Sequence, residues 1–192
     1  MPLILASASP RRSELLRNAG IPFTVEPAHI AEQPLPNEPP LQYAQRLARD
    51  KALAIFARHP DSVVLGADTV VVVDEHLLEK PVEAQDAARM LRLLSGRAHQ
   101  VLTGVCLVAP GYEQTEAETT EVRFSALSER EIAGYIETGE PMDKAGAYAI
   151  QGMASRWVRR IDGCYFNVVG LPVPRLYPML QTLAAKTGIQ LI

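Results

Sequence analysis

The stretch Ser62-Val63-Val64-Leu65-Gly66-Ala67-Asp68-Thr69-Val70-Val71-Val72-Val73-Asp74 decides the fold. It is apolar almost throughout and rich in β-branched residues, the pattern of a strand covered on both faces, and it reads as a central strand. Towards the N-terminus, residues 3–7 read as a short buried strand leading into a helix with both ends marked. Ser9 is its N-cap, Pro10 its first residue, Leu15, Leu16 and Ala19 its apolar face and Gly20 its stop. Residues 23–25 form a weak strand, and 29–40 a loop rich in proline and carboxylates. Residues 41–58 show helical spacing, with Leu41, Ala44, Leu47, Ala48, Ala52 and Ile55 on one face. Towards the C-terminus, Asp74-Glu75-His76 turns the chain and 82–94 is a helix stopped by Ser95-Gly96. Residues 100–108 and 116–124 read as two long strands paired antiparallel through Pro110-Gly111. Ser128 and Glu131 form a capping box that opens a short helix to Tyr135. A glycine-bearing loop (143–152), a strand (157–161) and a helix (172–186) before Gly188 complete a mixed α/β fold without repeats.

With 192 residues, 47% of them hydrophobic and 21% charged, the chain has the make-up of one globular domain, or of two small lobes, spanning 1–192. Such a length buries roughly 70% of the unfolded surface, so no disulfide or metal is needed to hold a core. Cys106 and Cys164 therefore read as core thiols in a reducing cytoplasm. The opening Met1-Pro2-Leu3-Ile4-Leu5-Ala6 lacks a basic n-region, and no apolar run approaches ~18 residues, so neither secretion nor membrane insertion is expected. A net charge of -3 offers no field for a nucleic-acid backbone. The phosphate-loop, nucleophile-elbow and zinc-protease motifs are absent. His29, His59, His76 and His99 stand singly, without metal-ligand spacing.

Four places break their own local rules. Arg11 and Arg12 put cations in the first turn of a helix, against its dipole, where free backbone N–H groups also await an anion. Ser9-Pro10-Arg11-Arg12 reads either as a phosphate cradle or as a pair of solvated arginines. Asp68 is a carboxylate inside an apolar strand, which calls for a cationic or metal partner or else for backbone amides at a strand end. Lys51 lies on the apolar face of its helix; read alone, it snorkels. Lys80, held extended by Pro81, is a similar weak hint of a phosphate contact. Finally, Gln151 lies in the glycine-framed loop, either as a reader of a base edge or as part of a polar turn. Glu32, in the carboxylate-rich loop, is a candidate to join Asp68 around a divalent cation.

At these residues the chain resembles the Maf family of nucleotide pyrophosphatases, essentially end to end. Leu5-Ala6-Ser7-Ala8-Ser9-Pro10-Arg11-Arg12 is similar to the family's opening motif, with Ala8 where glycine is frequent. Leu65-Gly66-Ala67-Asp68-Thr69 is similar to its catalytic strand. Leu78-Glu79-Lys80-Pro81, Leu94-Ser95-Gly96, His99-Gln100-Val101 and Asp143-Lys144-Ala145-Gly146 follow in the family's order. The resemblance implies a two-lobed mixed α/β fold with a cleft, similar to the inosine-triphosphate pyrophosphatases, and a homodimer. Arg12, Thr69 and Gln151 resemble the specificity positions of the subgroup acting on dTTP and UTP. The resemblance further implies Asp68 as the base that activates water, Glu32 and Asp68 as ligands of Mg2+ or Mn2+, and Ser9, Arg11, Arg12, Lys51 and Lys80 as contacts to a nucleoside triphosphate. Hydrolysis to the monophosphate and pyrophosphate is the expected activity. The alternative is a nucleotide-sensing regulator of cell division that needs no turnover.

Overall fold

In the computed structural model, which describes residues 3–191, the apolar stretch around Asp68 runs extended from Val63 to Val73, and every residue of it except Thr69 is buried. In chain order the elements are β1 (Leu3–Leu5), α1 (Pro10–Asn18), β2 (Thr24–Val25), α2 (Pro40–Phe56), β3 (Val63–Val73), β4 (His76–Leu78), α3 (Ala84–Leu94), β5 (Ala98–Ala109), β6 (Tyr112–Phe124), α4 (Glu129–Glu137), β7 (Val158–Asp162), α5 (Tyr165–Val169) and α6 (Val173–Thr187). Met1, Pro2 and Ile192, at the ends of the expected 1–192 domain, lie outside the described residues. The strands form a mixed seven-stranded sheet in the order β2-β1-β3-β5-β6-β7, with β4 paired to β3 off that path. β1 runs parallel to both β2 and β3, whereas β3–β4 and β6–β7 are antiparallel. The mixed α/β class read from the sequence is the class observed. Among the described residues no helix is long and apolar enough to cross a membrane.

The chain divides into two compact units. The first comprises the described residues up to Asp68, Thr103–Glu118 and those from Gly170 onward. Its core includes Ile4, Ala6, Ala48, Ala52, Ile55, Val64, Cys106 and Val108. Helix α2 approaches its strands closely, because glycines stand at the crossings. A Cβ on Gly66 would meet the Ala48 carbonyl oxygen at 2.0 Å, and one on Gly104 would meet that of Ala44 at 2.3 Å. The second unit comprises Thr69–Leu102 and Thr119–Val169. An aromatic cluster fills it: Phe124 stands edge-on to His99 and Tyr148, and Tyr135 edge-on to Trp157.

The marked ends behave as read. Ser9 and Ser128 cap α1 and α4, the latter as a full capping box, and Gly188 ends α6 in the left-handed conformation at φ 75°. Other details differ. Leu41 and Ala19 are exposed, and the buried stripe of α2 carries Tyr43 and Lys51 besides its alanines. Strand β4 and the one-turn helix α5 were not expected; both are too short to show a period. Cys106 is a buried free thiol, its pKa pushed up to about 11 by burial, but Cys164 is only half-buried.

Candidate functional site

Gly66 and Asp68 stand two residues apart on β3 and so share one face, the face that α2 covers. The absent side chain at Gly66 seats Ala48 and Ala52 against the strand. Lys51, one residue before Ala52 on the same stripe, is carried to the neighbouring strand position, Asp68. Its Nζ donates to Asp68 Oδ1 at 2.6 Å and pairs with Glu32 Oε1 at 2.8 Å. Lys51 does not snorkel: it and Asp68 are each 7% exposed. The strand-end account of Asp68 gives way for the same reason, since its partner is an ammonium group.

Burial pushes the Asp68 carboxyl above the usual carboxylate range, opposed by the Lys51 ammonium and, more weakly, by the Arg12 guanidinium. Glu32, the most exposed of the three paired groups, adds a like charge that raises it further. A carboxylate held in place by one hydrogen-bonded cation and shifted towards neutrality suits a general base, whose best pKa lies near the working pH.

Arg12 is also turned inward. The solvated reading of the arginine pair fails for it, because Nε donates to the Gly170 carbonyl at 2.8 Å and Nη1 to Ser7 Oγ at 2.9 Å. Burial draws the guanidinium below its ordinary pKa, with Asp68 pulling the other way. Ser7 Oγ accepts in addition from the Ser9 N–H at 3.2 Å, and Ser9 Oγ receives the Arg12 N–H at 3.5 Å, so two serines fix the entrance to α1. Arg11 is half-buried, and no acidic side chain occupies that first turn. Ser7 stands in the opening motif without a role of its own in the sequence reading, and Gly170 is not singled out there. The Ser-x-Ser spacing before the helix was a usable signal for the first; nothing local marks the second.

Ser9, Arg11, Arg12, Glu32, Lys51 and Asp68 thus belong to the first unit, while Thr69, Lys80 and Gln151 belong to the second. Thr69 is half-buried, directly after Asp68 on β3. Lys80 is exposed beyond β4, and the Gly146 N–H donates to the Glu79 carbonyl at 3.1 Å, which ties the glycine-bearing loop to the segment carrying Lys80. Gly146 has φ 69°, and a Cβ there would press on Val71 at 2.9–3.0 Å, so a close approach as well as a left-handed turn requires glycine. Gln151 is exposed in a turn closed by the Gly152 N–H on the Ala149 carbonyl at 3.1 Å.

Among the described residues no group of three or more His, Cys, Asp or Glu side chains is arranged to hold a metal ion. The hard oxygen donors that do converge are those of Glu32 and Asp68, joined through the Lys51 ammonium. Two carboxylates of this kind fit a divalent cation that draws its remaining ligands from water and phosphate.

A family model described as Maf-like protein matches residues 2–183. A dTTP/UTP pyrophosphatase of Koribacter versatilis is 63% identical over 181 residues, 94% of this chain and 94% of that protein. A dTTP/UTP pyrophosphatase of Symbiobacterium thermophilum is 53% identical, covering 93% of this chain and 92% of its own. One from a Geobacillus species is likewise 53% identical, covering 90% and 93%.

Proposed function

The chain belongs to the Maf family, and from that membership we propose that it is a nucleoside triphosphate pyrophosphatase that hydrolyses dTTP and UTP to the monophosphate and pyrophosphate. The observation that carries the catalytic reading is the buried Asp68 carboxylate on the Lys51 ammonium at 2.6 Å. The names of relatives identical at up to 63% support the substrates.

Asp68 takes a proton from a water aimed at the α phosphorus. The water oxygen bonds to that phosphorus, the bridging α–β bond breaks, and pyrophosphate leaves with the electron pair. Little covalent chemistry is asked of the protein in such a transfer; positioning and charge neutralisation carry it. Arg12, held by Ser7 and Gly170, is pre-organised to meet phosphate oxygens, and Ser9, Arg11 and Lys80 are assigned to the same chain of phosphates. Lys51 has three N–H donors and two carboxylate partners, so it can orient Asp68 while turning its remaining donor to the substrate. Thr69 and Gln151 are assigned to the base: a primary amide can donate to a pyrimidine carbonyl and accept from N3–H. Glu32 and Asp68 would hold Mg2+ or Mn2+, which supplies positive charge to the phosphates when bound.

The reading extends to a homodimer acting on the cytoplasmic nucleotide pool; light scattering measures the first. For the activity, the purified chain is incubated with Mg2+ and dTTP or UTP, and pyrophosphate is assayed. Release of pyrophosphate with the monophosphate, abolished by chelator, is the expected result. Tight nucleotide binding without product would replace this reading by nucleotide sensing.

A further inference from the structure

Gln151 is exposed, yet the turn that presents it is anchored from inside the second unit. Tyr135 on α4 is fully buried, edge-on to Trp157 with ring centroids 5.0 Å apart. Its hydroxyl donates to Glu140 Oε1 at 2.8 Å and accepts from the Ala149 N–H at 3.1 Å. The same Glu140 carboxylate accepts from the Met153 N–H at 3.1 Å on Oε1 and 3.3 Å on Oε2. Ala149 and Met153 lie two residues before and two after Gln151, so one hydroxyl–carboxylate couple holds both flanks of the turn. Gly152 belongs to the same device: a Cβ there would meet Glu140 Oε1 at 2.1 Å, so only glycine lets the carboxylate reach the Met153 amide. Between the anchors, Ile150 is buried and Gln151 faces out.

Glu140 is fixed in its turn. Its N–H donates to Thr138 Oγ1 at 3.2 Å, and its carbonyl accepts from Lys144 Nζ at 2.6 Å. A base-reading amide discriminates only if its orientation is set, because a freely rotating amide offers donor and acceptor to any edge. We propose that Tyr135 and Glu140 are positioning residues for base selectivity, holding the Gln151 turn in register without touching the nucleotide. The inference rests on the reading of Gln151 as the residue that meets the base.

The test compares kcat/KM for dTTP with that for GTP, whose purine edge does not match an amide set to a pyrimidine carbonyl and N3–H, in the unsubstituted protein and in Tyr135→Phe, Glu140→Gln, Glu140→Ala, Gln151→Ala and the Tyr135→Phe/Gln151→Ala double variant, with urea midpoints measured alongside. Tyr135→Phe keeps the ring and removes the hydroxyl, and is expected to lower the dTTP preference roughly 3- to 10-fold, the worth of one positioning hydrogen bond. Glu140→Gln keeps an oxygen that can accept from both Tyr135 and Met153 and should hold the preference within about twofold, whereas Glu140→Ala should lower it as Tyr135→Phe does. Once Gln151 is alanine, Tyr135→Phe should change the preference no further, since the two act on one determinant. If Tyr135→Phe yields no folded protein, the contrast between Glu140→Gln and Glu140→Ala decides. Equal losses for both nucleotides at these positions, with Gln151→Ala still shifting the preference, would overturn the positioning role and leave the reading of Gln151 intact. An unchanged preference in Gln151→Ala would overturn both.

Discussion

Asp68 and Arg12 are ionisable groups that the fold takes out of water, and each is held by partners distant in sequence: Lys51 for the carboxylate, Gly170 and Ser7 for the guanidinium. Asp68→Asn preserves size and removes the proton acceptor. Pyrophosphate release should fall by about 10²–10⁴-fold while nucleotide binding persists, as followed by steady-state assay and calorimetry. The pH profile follows from the direction of the Asp68 shift. Burial favours the protonated form, so the base is lost on the acid side at a pH above the ordinary carboxylate value, and the acid limb of kcat/KM should lie there. A limb at or below the ordinary carboxylate range in enzyme assayed at limiting metal would contradict that role. Arg12→Ala should weaken dTTP binding far more than dTMP binding, because charge-assisted bonds to the outer phosphates are lost. Equal weakening of both would move Arg12 to the sugar or base.

Among elements, the contact between α2 and β3 governs the site. Gly66 lets the helix backbone approach the strand, and the helix brings Lys51 to Asp68 as a consequence. Gly66→Ala would force Ala48 and Ala52 outward, destabilising the protein by about 1–3 kcal/mol through overpacking. The displacement also draws Lys51 away from Asp68, so turnover should drop more than the fraction of folded protein does. Urea denaturation and pyrophosphate assay on the same sample separate the two effects; a fully active, less stable variant would show that the ion pair tolerates the shift. These elements were largely legible in the sequence because their signals are local. Ser9 before Pro10, Ser128 with Glu131, and Gly188 each act within one turn of themselves. Strand β4 and helix α5 were not legible: His76–Leu78 and Tyr165–Val169 are too short to display a period, and pairing with β3 is what makes the first a strand.

Across the whole molecule, acid sensitivity is written into the second unit by His99. Its Nε2 shares a hydrogen bond with the Tyr148 hydroxyl at 2.8 Å, its ring stands edge-on to Phe124, and burial pulls its pKa from 6.5 down to about 4. The folded state thus resists the proton that the unfolded chain accepts. Stability is expected to hold above about pH 6.5 and to fall as pH drops towards 4, by about 3 kcal/mol in all from this one group. Asp68, shifted upward, acts in the opposite sense and partly offsets this loss. His99→Phe keeps an aromatic ring in place and removes the titration. The difference in unfolding free energy between pH 7 and pH 4.5 should shrink by about 2 kcal/mol relative to the parent, measured by urea titration at both pH values. An undiminished difference would assign the acid sensitivity to other groups.

By itself, the sequence determined the mixed α/β class, the central buried strand, the capped helices and the membership that the family match over residues 2–183 bears out. All of these rest on composition, period or short motifs, which act over a few residues and survive without knowledge of the fold. Tertiary structure alone decided what each charged group does. Helical spacing put Lys51 on an apolar face but could not say whether its ammonium escapes to water or meets a carboxylate. That depended on Gly66 admitting α2 to the strand that carries Asp68. Nor could any local pattern link Arg12 to the Gly170 carbonyl, or Tyr135 and Glu140 to the flanks of Gln151. Burial of a polar group is set by every element packed around it, and so is the partner that makes the burial tolerable.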